Sequence, residues 1–582
     1  MTKQQWKVRE QISKDAEEEL NHLTETQRHL LWHRGVRTKE AADVFIGPDF
    51  YKGLHDPFLM LGMERAVERI LLAIKREERV VVYADYDCDG IPGSVVLNDF
   101  FEKIGYKNFE IYIPHRHREG YGLNSSAIKE LASSGCQVLI TVDNGITDVE
   151  QVKAANTLGI DVIITDHHEP PEVLPSAYVI LNPKQKGETY PFRELCGSGV
   201  AFKLVQALIR KWNLLPTEKI PKEMFIVPEW WEKWLLDVVG LATIADMVPL
   251  VGENRVFATY GLKVLKKTER PGLSHLIQLQ GISREHFSED DVGFSIGPVI
   301  NAASRLGEPR DAFLMLSLKD YSLAAGKAEE LVKLNNFRKK LVKEMVHEAV
   351  SLVEIKQDRP IIVVGKKEWK PGLLGLAASA LVEKFGKPTF VWGMEGSPEI
   401  KGSCRSDGVL NIVELMRAAD GAFSDVGGHE FAGGFSCTEE QIERLEQKLM
   451  EAHRFLETGF PKNGEIGQGP QERLADLKIV ADDVTWKMFD EIAMLGPFGV
   501  GNLKPVFLIE NAIIASSKMF GKEGGHLQIN LRKEKLGTVS AIKFFSKHKL
   551  PEVGDKIDLL CHLEKSTFGY RTELRLRIID IN

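Results

Sequence analysis

Short apolar runs rich in β-branched residues alternate with helix-like segments between residues 63 and 181. This alternation is the strongest constraint on the fold, because strands that are apolar on both faces have to be covered by helices on both sides of a parallel sheet. The runs that predict strands lie at 80–84, 109–113, 138–142, 162–165 and 178–181. The sequence therefore predicts an α/β domain built on a parallel sheet.

Acidic residues and histidines follow several apolar runs directly, at the point where each run ends. The residues concerned are Asp85, Asp87 and Asp89 after the first run, Asp143 after the third, Asp166, His167 and His168 after the fourth, and Asp246 after a further apolar run at 241–245. Because ligands bind outside the carboxyl ends of the strands in open parallel sheets, we expect these side chains to converge at one edge of the sheet.

Each of these residues on its own has an ordinary structural explanation. A single aspartate after a strand is usually a helix cap or a turn residue, and a lone pair of histidines usually packs or lies on the surface. The first segment also resembles the start of a calcium loop, but its twelfth position, counted from Asp85, is Val96 and not glutamate. Six carboxylates gathered together would repel one another by about 1–4 kcal/mol per close pair, and cations would offset that repulsion. The set as a whole therefore favours a metal centre.

The types of ligand indicate which metals would bind. Oxygen and imidazole ligands without thiolates suit Mn²⁺ or Mg²⁺, and the histidines favour Mn²⁺. More than four candidate ligands imply two ions, and two ions about 3.5–4 Å apart are typical of enzymes that hydrolyse phosphoesters. Since one carboxylate has to span both ions, we expect Asp143 to be the bridging ligand. The six cysteines form no C-x-x-C pair, so neither a zinc site nor a disulfide framework is expected.

The distribution of charge is more informative than its total. The net charge of −8 argues against a protein that coats polyanions non-specifically. Residues 511–582, however, carry 13 Lys and Arg against 8 Asp and Glu, within short alternating strands that are typical of a small β-barrel.

No apolar run is long enough to cross a bilayer and the N-terminus has no signal-peptide pattern, so we expect a cytoplasmic protein without membrane association.

The rest of the chain divides at a long helical segment and at a stretch rich in glycine and proline. Residues 321–356 have an apolar stripe at helical spacing and predict a connecting helix of about 30 residues. A second α/β unit begins near residue 361, and the segment 459–470 is a candidate linker before the barrel.

The motifs DYDCDG, TVDNGI, DHH and IADMVPL, in this order, resemble the four motifs of the DHH phosphoesterase family. GSCRS at 402–406 and GGHEFAGG at 427–434 resemble the companion substrate-binding domain, called DHHA1. Longer stretches, such as IPHRHREGYGL, GPVINAASRLGEP and PFGVGNLKPVF, narrow the resemblance to the bacterial single-strand-specific exonucleases of this family. Small departures from the family pattern at Ala84, Pro92 and Ser304 bear on loop conformation more than on chemistry, and they remove no ligand type.

The resemblance implies a parallel-sheet DHH domain that a long helix joins to a second α/β domain of the DHHA1 type, followed by an OB-fold β-barrel that binds nucleic acid. The expected ranges are 1–60 for an N-terminal helical extension, 61–320 for the DHH catalytic domain, 321–358 for the connecting helix, 359–458 for the DHHA1 domain, and 459–582 for the linker and the OB-fold domain.

The resemblance also implies an activity: a metal-dependent 5′→3′ exonuclease that degrades single-stranded DNA to 5′-mononucleotides in recombination and repair. Two Mn²⁺ or Mg²⁺ ions would be the cofactors. We expect a monomer, with single-strand-binding protein and a helicase as candidate partners. Two alternatives stay open: a relative that cleaves short oligonucleotides, cyclic dinucleotides or pyrophosphate, and a scaffold of a repair complex that has no activity.

Residue roles follow from the same resemblance. The eight acids and histidines named above would be the metal ligands, and Asp143, His168 and His429 would act in catalysis. Arg116 and Arg305 would hold a phosphate near the metals, although a salt bridge within the domain is the ordinary alternative for each. The residues predicted to bind the nucleic acid are Arg116, Tyr121, Asn301, Arg305, Ser403, Arg405 and His429.

Overall fold

The computed structural model describes residues 6–354, 359–459, 473–521, 525–535, 537–546, 550–566 and 572–582. Apart from Gly459, the predicted linker at 459–470 lies outside the described residues. None of the helices in the described ranges is long and apolar enough to cross a membrane.

The N-terminal segment forms a short strand followed by short helices. These are β1 (Trp6–Val8), α1 (Lys14–Glu19), α2 (Glu25–Trp32) and α3 (Lys39–Ile46). Helix α2 begins at a capping box, in which Thr24 Oγ1 accepts a hydrogen bond from Gln27 N and the Gln27 side chain accepts one from Thr24 N. The helices agree with the sequence pattern, whereas the strand was not predicted.

The parallel sheet predicted from the apolar runs is confirmed, and it is covered on both faces. Its strands are β2 (Arg79–Ala84), β3 (Phe109–Tyr112), β4 (Cys136–Val142), β5 (Asp161–Thr165) and β6 (Val179–Leu181), in the order β3-β2-β4-β5-β6. Val80 and Val82 of β2 face the larger core, whereas Val81 and Tyr83 face the smaller one. Helices α4 (Met63–Lys75), α5 (Gly90–Ile104) and α8 (Gly197–Asn213) cover the larger face, and α6 (Ser125–Ser133) and α7 (Val149–Thr157) cover the other.

A run of helices continues the first domain and leads into the connecting helix. It consists of α9 (Leu236–Ala245), α10 (Gly252–Leu265), α11 (Pro271–Leu279), α12 (Glu289–Asp291), α13 (Gly297–Leu306), α14 (Pro309–Ser317) and α15 (Tyr321–Glu354). Helices α9 and α10 cross at Gly240 and Gly261, where a Cβ on either residue would lie 2.6 Å from the Cα of the other. The predicted connecting helix is α15, which has 34 residues.

The second α/β unit has a mixed sheet. Its strands are β7 (Ile362–Lys366), β8 (Thr389–Gly393), β9 (Ile400–Arg405), β10 (Asp425–His429) and β11 (Ala432–Cys437), and its helices are α16 (Pro371–Phe385), α17 (Ile412–Ala418) and α18 (Glu439–Gly459). The strand order is β10-β11-β9-β8-β7, and β7 and β8 run parallel whereas the other neighbours run antiparallel.

The C-terminal part closes into a barrel, as the short alternating strands predicted. Its elements are β12 (Arg473–Ala475), β13 (Leu477–Lys478), α19 (Trp486–Ala493), β14 (Phe507–Phe520), β15 (His526–Arg532), β16 (Thr538–Lys543), β17 (Lys556–Ser566) and β18 (Glu573–Ile581). Strand β14 pairs with both β15 and β17, which closes the ring through β16 and β18. Strand β1 pairs with β12, and Leu30 and Leu31 of α2 share the core of the barrel, so the two ends of the chain meet.

A buried ion pair fixes helix α8 to helix α10. The side chains of Lys203 and Glu253 are both fully buried, and Lys203 Nζ donates to Glu253 Oε1 at 2.9 Å and to the carbonyl oxygen of His55 at 2.7 Å. The second carboxylate oxygen of Glu253 accepts the Tyr190 hydroxyl at 2.6 Å. Removing only one member of such a pair leaves a buried charge without compensation.

We predict that Lys203→Met lowers the free energy of unfolding of the first domain by about 3–5 kcal/mol, because Glu253 would stay buried without its cation. Lys211→Met is the matched control on the same helix, since Lys211 pairs with Glu64 at 2.6 Å on the exposed surface, where a pair contributes less than about 1 kcal/mol. Urea denaturation followed by tryptophan fluorescence measures both values. Equal losses in the two variants would contradict the role of the buried pair.

Candidate metal centre

The predicted acids and histidines converge at the carboxyl edge of the parallel sheet. One cluster follows β2, Asp143 follows β4, and the DHH segment follows β5. The apolar run before Asp246 is helix α9, so this carboxylate reaches the site from the end of a helix. Three groups of side chains have ligand atoms within 4.8 Å of one another, namely Asp85, Asp87 and Asp143; Asp143, His167 and His168; and Asp89, His167 and Asp246.

The three groups share members and form one continuous centre. Asp143 belongs to two groups, and so does His167. His167 Nε2 lies 3.2 Å from Asp143 Oδ1, and 3.7 Å from one carboxylate oxygen of both Asp89 and Asp246. The position of Asp143 between two groups is the arrangement that a bridging ligand requires.

The electrostatics of the centre fit divalent cations. Burial first, and neighbouring carboxylates next, raise the pKa values of Asp85 and Asp143 well above the usual range, and the same causes raise the pKa of Asp246 to about 9. One buried carboxylate oxygen of Asp85 and one of Asp143 accept no hydrogen bond in the described residues. Buried carboxylate oxygens without hydrogen bonds, together with imidazole nitrogens, are a donor set that suits Mn²⁺ and Mg²⁺.

Asp89 is held by the start of helix α8. Its two carboxylate oxygens accept the backbone N–H groups of Gly197 at 2.6 Å and Ser198 at 2.7 Å, where the helix dipole favours negative charge. A Cβ on Gly197 would lie 2.5 Å from the Cβ of Asp143, so glycine is required for the close approach of the two segments. The sequence motifs alone did not reveal the contact between Asp89 and the start of α8, because the residues that make it are more than 100 positions apart.

Asp166 lies behind the histidines. Its carboxylate accepts the backbone N–H groups of Ile146 at 3.0 Å and of His167 at 2.7 Å, and lies 2.8 Å from His168 Nδ1. Although burial opposes the change, the bonds from His168 and the backbone lower the pKa of Asp166. Asp166 joins none of the three groups in the described chain. The structure thus gives it the position of a group that orients His168, and its role as a metal ligand stays a prediction.

Tyr121 and Asn301 border the centre. The Tyr121 hydroxyl donates to the carbonyl oxygen of Asp143 at 3.3 Å and lies 3.4 Å from His168 Nδ1, while half of the residue is exposed. Asn301 Oδ1 accepts the backbone N–H of Cys88 at 2.9 Å, so it steadies the loop that carries Asp87 and Asp89. Whether these side chains also contact nucleic acid stays a prediction.

The predicted arginines have no ion-pair partner within the described residues, which removes the salt-bridge alternative there. Arg116 lies over the ring of Tyr86 at 5.1 Å, and Arg305 Nη1 donates to the carbonyl oxygen of Gly372 in the second unit at 2.9 Å. Burial, with repulsion from other arginines, lowers the pKa of Arg305 to about 10. Guanidinium groups without a carboxylate partner can bind phosphate oxygens, and the phosphate-binding role of Arg116 and Arg305 stays a prediction.

Ser403, Arg405 and His429 lie on the sheet of the second unit. Arg405 Nη1 donates to Ser403 Oγ at 3.2 Å, so the two side chains form one polar surface on β9. His429 ends the exposed strand β10 and joins none of the three ligand groups of the described chain. Its catalytic role stays a prediction.

We predict that Mn²⁺ added to EDTA-stripped protein raises the melting temperature by about 5 °C, because saturation at 100 times Kd contributes about 2.7 kcal/mol. Asp143→Asn is expected to lose more than half of this shift, since it removes one carboxylate oxygen and the negative charge from a residue that belongs to two of the three groups. Asparagine is chosen because Asp143 has φ +62°, a conformation that Asn tolerates better than Ala. The exposed carboxylate of Asp420 provides the control variant Asp420→Asn. A full Mn²⁺ shift in Asp143→Asn would contradict the assignment.

Three family profiles match the chain in order. The N-terminal domain of the DHH family matches residues 79–227, the DHHA1 domain matches residues 353–454, and the RecJ OB domain matches residues 475–580. These matches confirm the family that the motifs predicted and the sequence of domain types.

Relatives and solved structures resemble the chain over most of its length. The single-stranded-DNA-specific exonuclease RecJ of Bacillus subtilis is 37% identical over 96% of this chain and 68% of its own. RecJ of Escherichia coli is 30% identical over 82% of each chain. The crystal structure of Thermus thermophilus RecJ in complex with Mn²⁺ matches with a TM-score of 0.81 and 25% identity, over 100% of this chain and 80% of that one. The order of the domains, the carboxylate centre and this similarity together show that the chain belongs to the RecJ family of DHH proteins.

Proposed function

We propose that this chain is a metal-dependent exonuclease that degrades single-stranded DNA from the 5′ end to 5′-mononucleotides, and that it acts in DNA recombination and repair. The observation that carries the proposal is the position of unpaired arginines beside a buried carboxylate centre. The carboxylate of Asp87 is attracted electrostatically to the guanidinium groups of both Arg116 and Arg305. A phosphate bound by the arginines would therefore lie within reach of the centre. The names of the relatives, which are single-stranded-DNA-specific exonucleases, support the same activity.

The side chains divide the catalytic work. The group of Asp85, Asp87 and Asp143 would hold one divalent cation and the group of Asp89, His167 and Asp246 the other, with Asp143 as the ligand that both would share and His168 next to it. The two cations supply Lewis acidity and neutralise the charge that develops on the phosphodiester. Asp166 would fix the orientation of His168 through their hydrogen bond, as carboxylates that contact ligating histidines do at many metal sites. We retain His429 as a candidate that steadies the attacking water or the leaving oxygen.

Arginines would hold the end of the strand. The planar guanidinium groups of Arg116 and Arg305 can each bind phosphate oxygens in a bidentate manner, which a lysine cannot reproduce. Burial of Arg305 strengthens this interaction, because a charge in a poorly hydrated site attracts an anion more strongly. A terminal phosphate held there would present the adjoining phosphodiester to the carboxylate centre.

The contact between the two α/β units would select for a single strand. Arg305 bridges the units, and a Cβ on Gly372 would lie only 2.7 Å from the carbonyl oxygen of Arg305. We infer that a cleft closed at this point admits one strand and excludes a duplex. The barrel, with its local excess of positive charge, would bind the part of the strand that lies further from the centre. Single-strand-binding protein and a helicase are proposed partners of a cytoplasmic monomer.

We predict that single-stranded DNA labelled at its 5′ end releases labelled mononucleotide at once in Mn²⁺, whereas DNA labelled at its 3′ end shortens gradually. EDTA should abolish both reactions, and Asp143→Asn should slow them by about 100-fold or more, since loss of a metal ligand exceeds the usual effect of a second-layer mutation. Asp420→Asn should match the unchanged protein.

Other outcomes would favour other functions. Early release of the 3′ label would refute the polarity. Faster hydrolysis of cyclic dinucleotides or pyrophosphate would support a small-substrate enzyme. No hydrolysis with Mn²⁺ bound would support a scaffold.

A further inference from the structure

A fourth arginine without a carboxylate partner lies in the middle of the connecting helix. Arg338 of α15 is partly buried, and its Nε donates to Asn335 Oδ1 at 3.0 Å. Asn335 is only 2% exposed, so the guanidinium is oriented by a side chain that is itself fixed. The described residues place no carboxylate oxygen within ion-pair distance of Arg338, in contrast to Lys327 and Lys340 of the same helix.

Arg338 lies with two of the predicted phosphate ligands around the first turns of helix α16. Arg305 donates to the carbonyl oxygen of Gly372, at the start of that helix. A Cβ on Gly375, one turn later, would lie 2.9 Å from Arg405 Nη2. Leu376, the next residue, lines a groove between α15 and α16 together with Arg338. Side chains from α13, β9 and α15 therefore surround the positive end of α16, where an anion is stabilised by the helix dipole.

The surroundings of Arg305 indicate that this cluster lacks a counter-charge. Burial lowers the pKa of Arg305 first, followed by repulsion from Arg116 and Arg338, and then from Arg405. Asp87 is the carboxylate that opposes this repulsion, and it also belongs to the metal centre. Arginines that lie close together with few carboxylates near them repel one another, and an anion with more than one negative charge would offset that repulsion. A phosphate monoester carries about −1.5 to −2 at pH 7, whereas an internal phosphodiester carries −1.

We propose that Arg338 binds the 5′-terminal phosphate of the DNA strand together with Arg305 and Arg405, and that it is a specificity-determining residue for phosphorylated 5′ ends. The inference rests on the proposed function, because it assigns a residue to the same site. It makes the connecting helix a part of the substrate pocket in addition to a tether between the two units. A hydroxyl at the 5′ end would leave the guanidinium of Arg338 without its ligand.

The variant Arg338→Met tests the proposal, because methionine keeps an unbranched apolar stem and removes the charge. The matched control is Lys340→Met, two residues later on the same helix, where the cation is exposed and lies 3.8 Å from Glu344. Both variants are assayed on one single-stranded oligonucleotide with either a phosphate or a hydroxyl at its 5′ end. For Arg338→Met we expect KM for the phosphorylated strand to rise by about 10- to 100-fold, the range of a lost charge-assisted hydrogen bond. The kcat value, and KM for the hydroxylated strand, should stay within about twofold.

A binding measurement separates this proposal from the proposed function. Fluorescence anisotropy with EDTA-treated protein reports the affinity for the two oligonucleotides in the absence of hydrolysis. The unchanged protein should prefer the phosphorylated strand, Arg338→Met should lose most of that preference, Arg338→Lys should restore part of it, and Lys340→Met should keep it. Equal losses for both strands, or an unchanged preference in Arg338→Met, would overturn the role of Arg338. Absence of Mn²⁺-dependent hydrolysis in the unchanged protein would instead refute the proposed function.

Discussion

Repulsion among buried carboxylates at one edge of a parallel sheet is the constraint on which the rest of the structure depends. Burial raises the pKa values of these groups, and unpaired oxygens of Asp85 and Asp143 face the same space. A fold keeps such a cluster only if other interactions hold the loops in place or if cations neutralise it. Here the backbone N–H groups at the start of α8 hold Asp89, and Asn301 holds the loop before it. The buried pair of Lys203 and Glu253 in turn anchors α8.

The parts of the site that follow from local sequence could be predicted. A carboxylate directly after a β-branched run has to lie at the carboxyl edge of a parallel sheet, which was enough to bring Asp85, Asp143 and His167 together in the prediction. The connecting helix was equally predictable, because its apolar stripe repeats over many turns. The local pattern did not distinguish a ligand from a residue that orients one. The bonds of Asp166 to the backbone of Ile146 and to His168 become visible only in three dimensions, and its role as a metal ligand stays a prediction.

Contacts between distant segments account for what the sequence pattern missed. Strand β1 pairs with β12, which lies more than 450 residues later in the chain, and no local sequence pattern predicts this pairing. The pairing of β14 shifts register near Ile509 and near Ile514, which breaks the simple alternation that would have predicted its full length. In the sequence, Arg338 looks like an ordinary cation on a basic stretch of helix, and its position between α13 and α16 becomes visible only in the folded chain. If the proposed role of Arg338 holds, the connecting helix and the second unit complete a site that the first domain begins.

The central claim is that the carboxylate centre holds two divalent cations that share Asp143. The most direct test is the number of Mn²⁺ ions bound per chain, measured by isothermal titration calorimetry on metal-free protein together with electron paramagnetic resonance of the loaded protein. The account predicts two ions per chain and a spin-coupled signal, because ions that shared one carboxylate would lie about 3.5–4 Å apart. A single ion, or two ions with uncoupled signals, would contradict it.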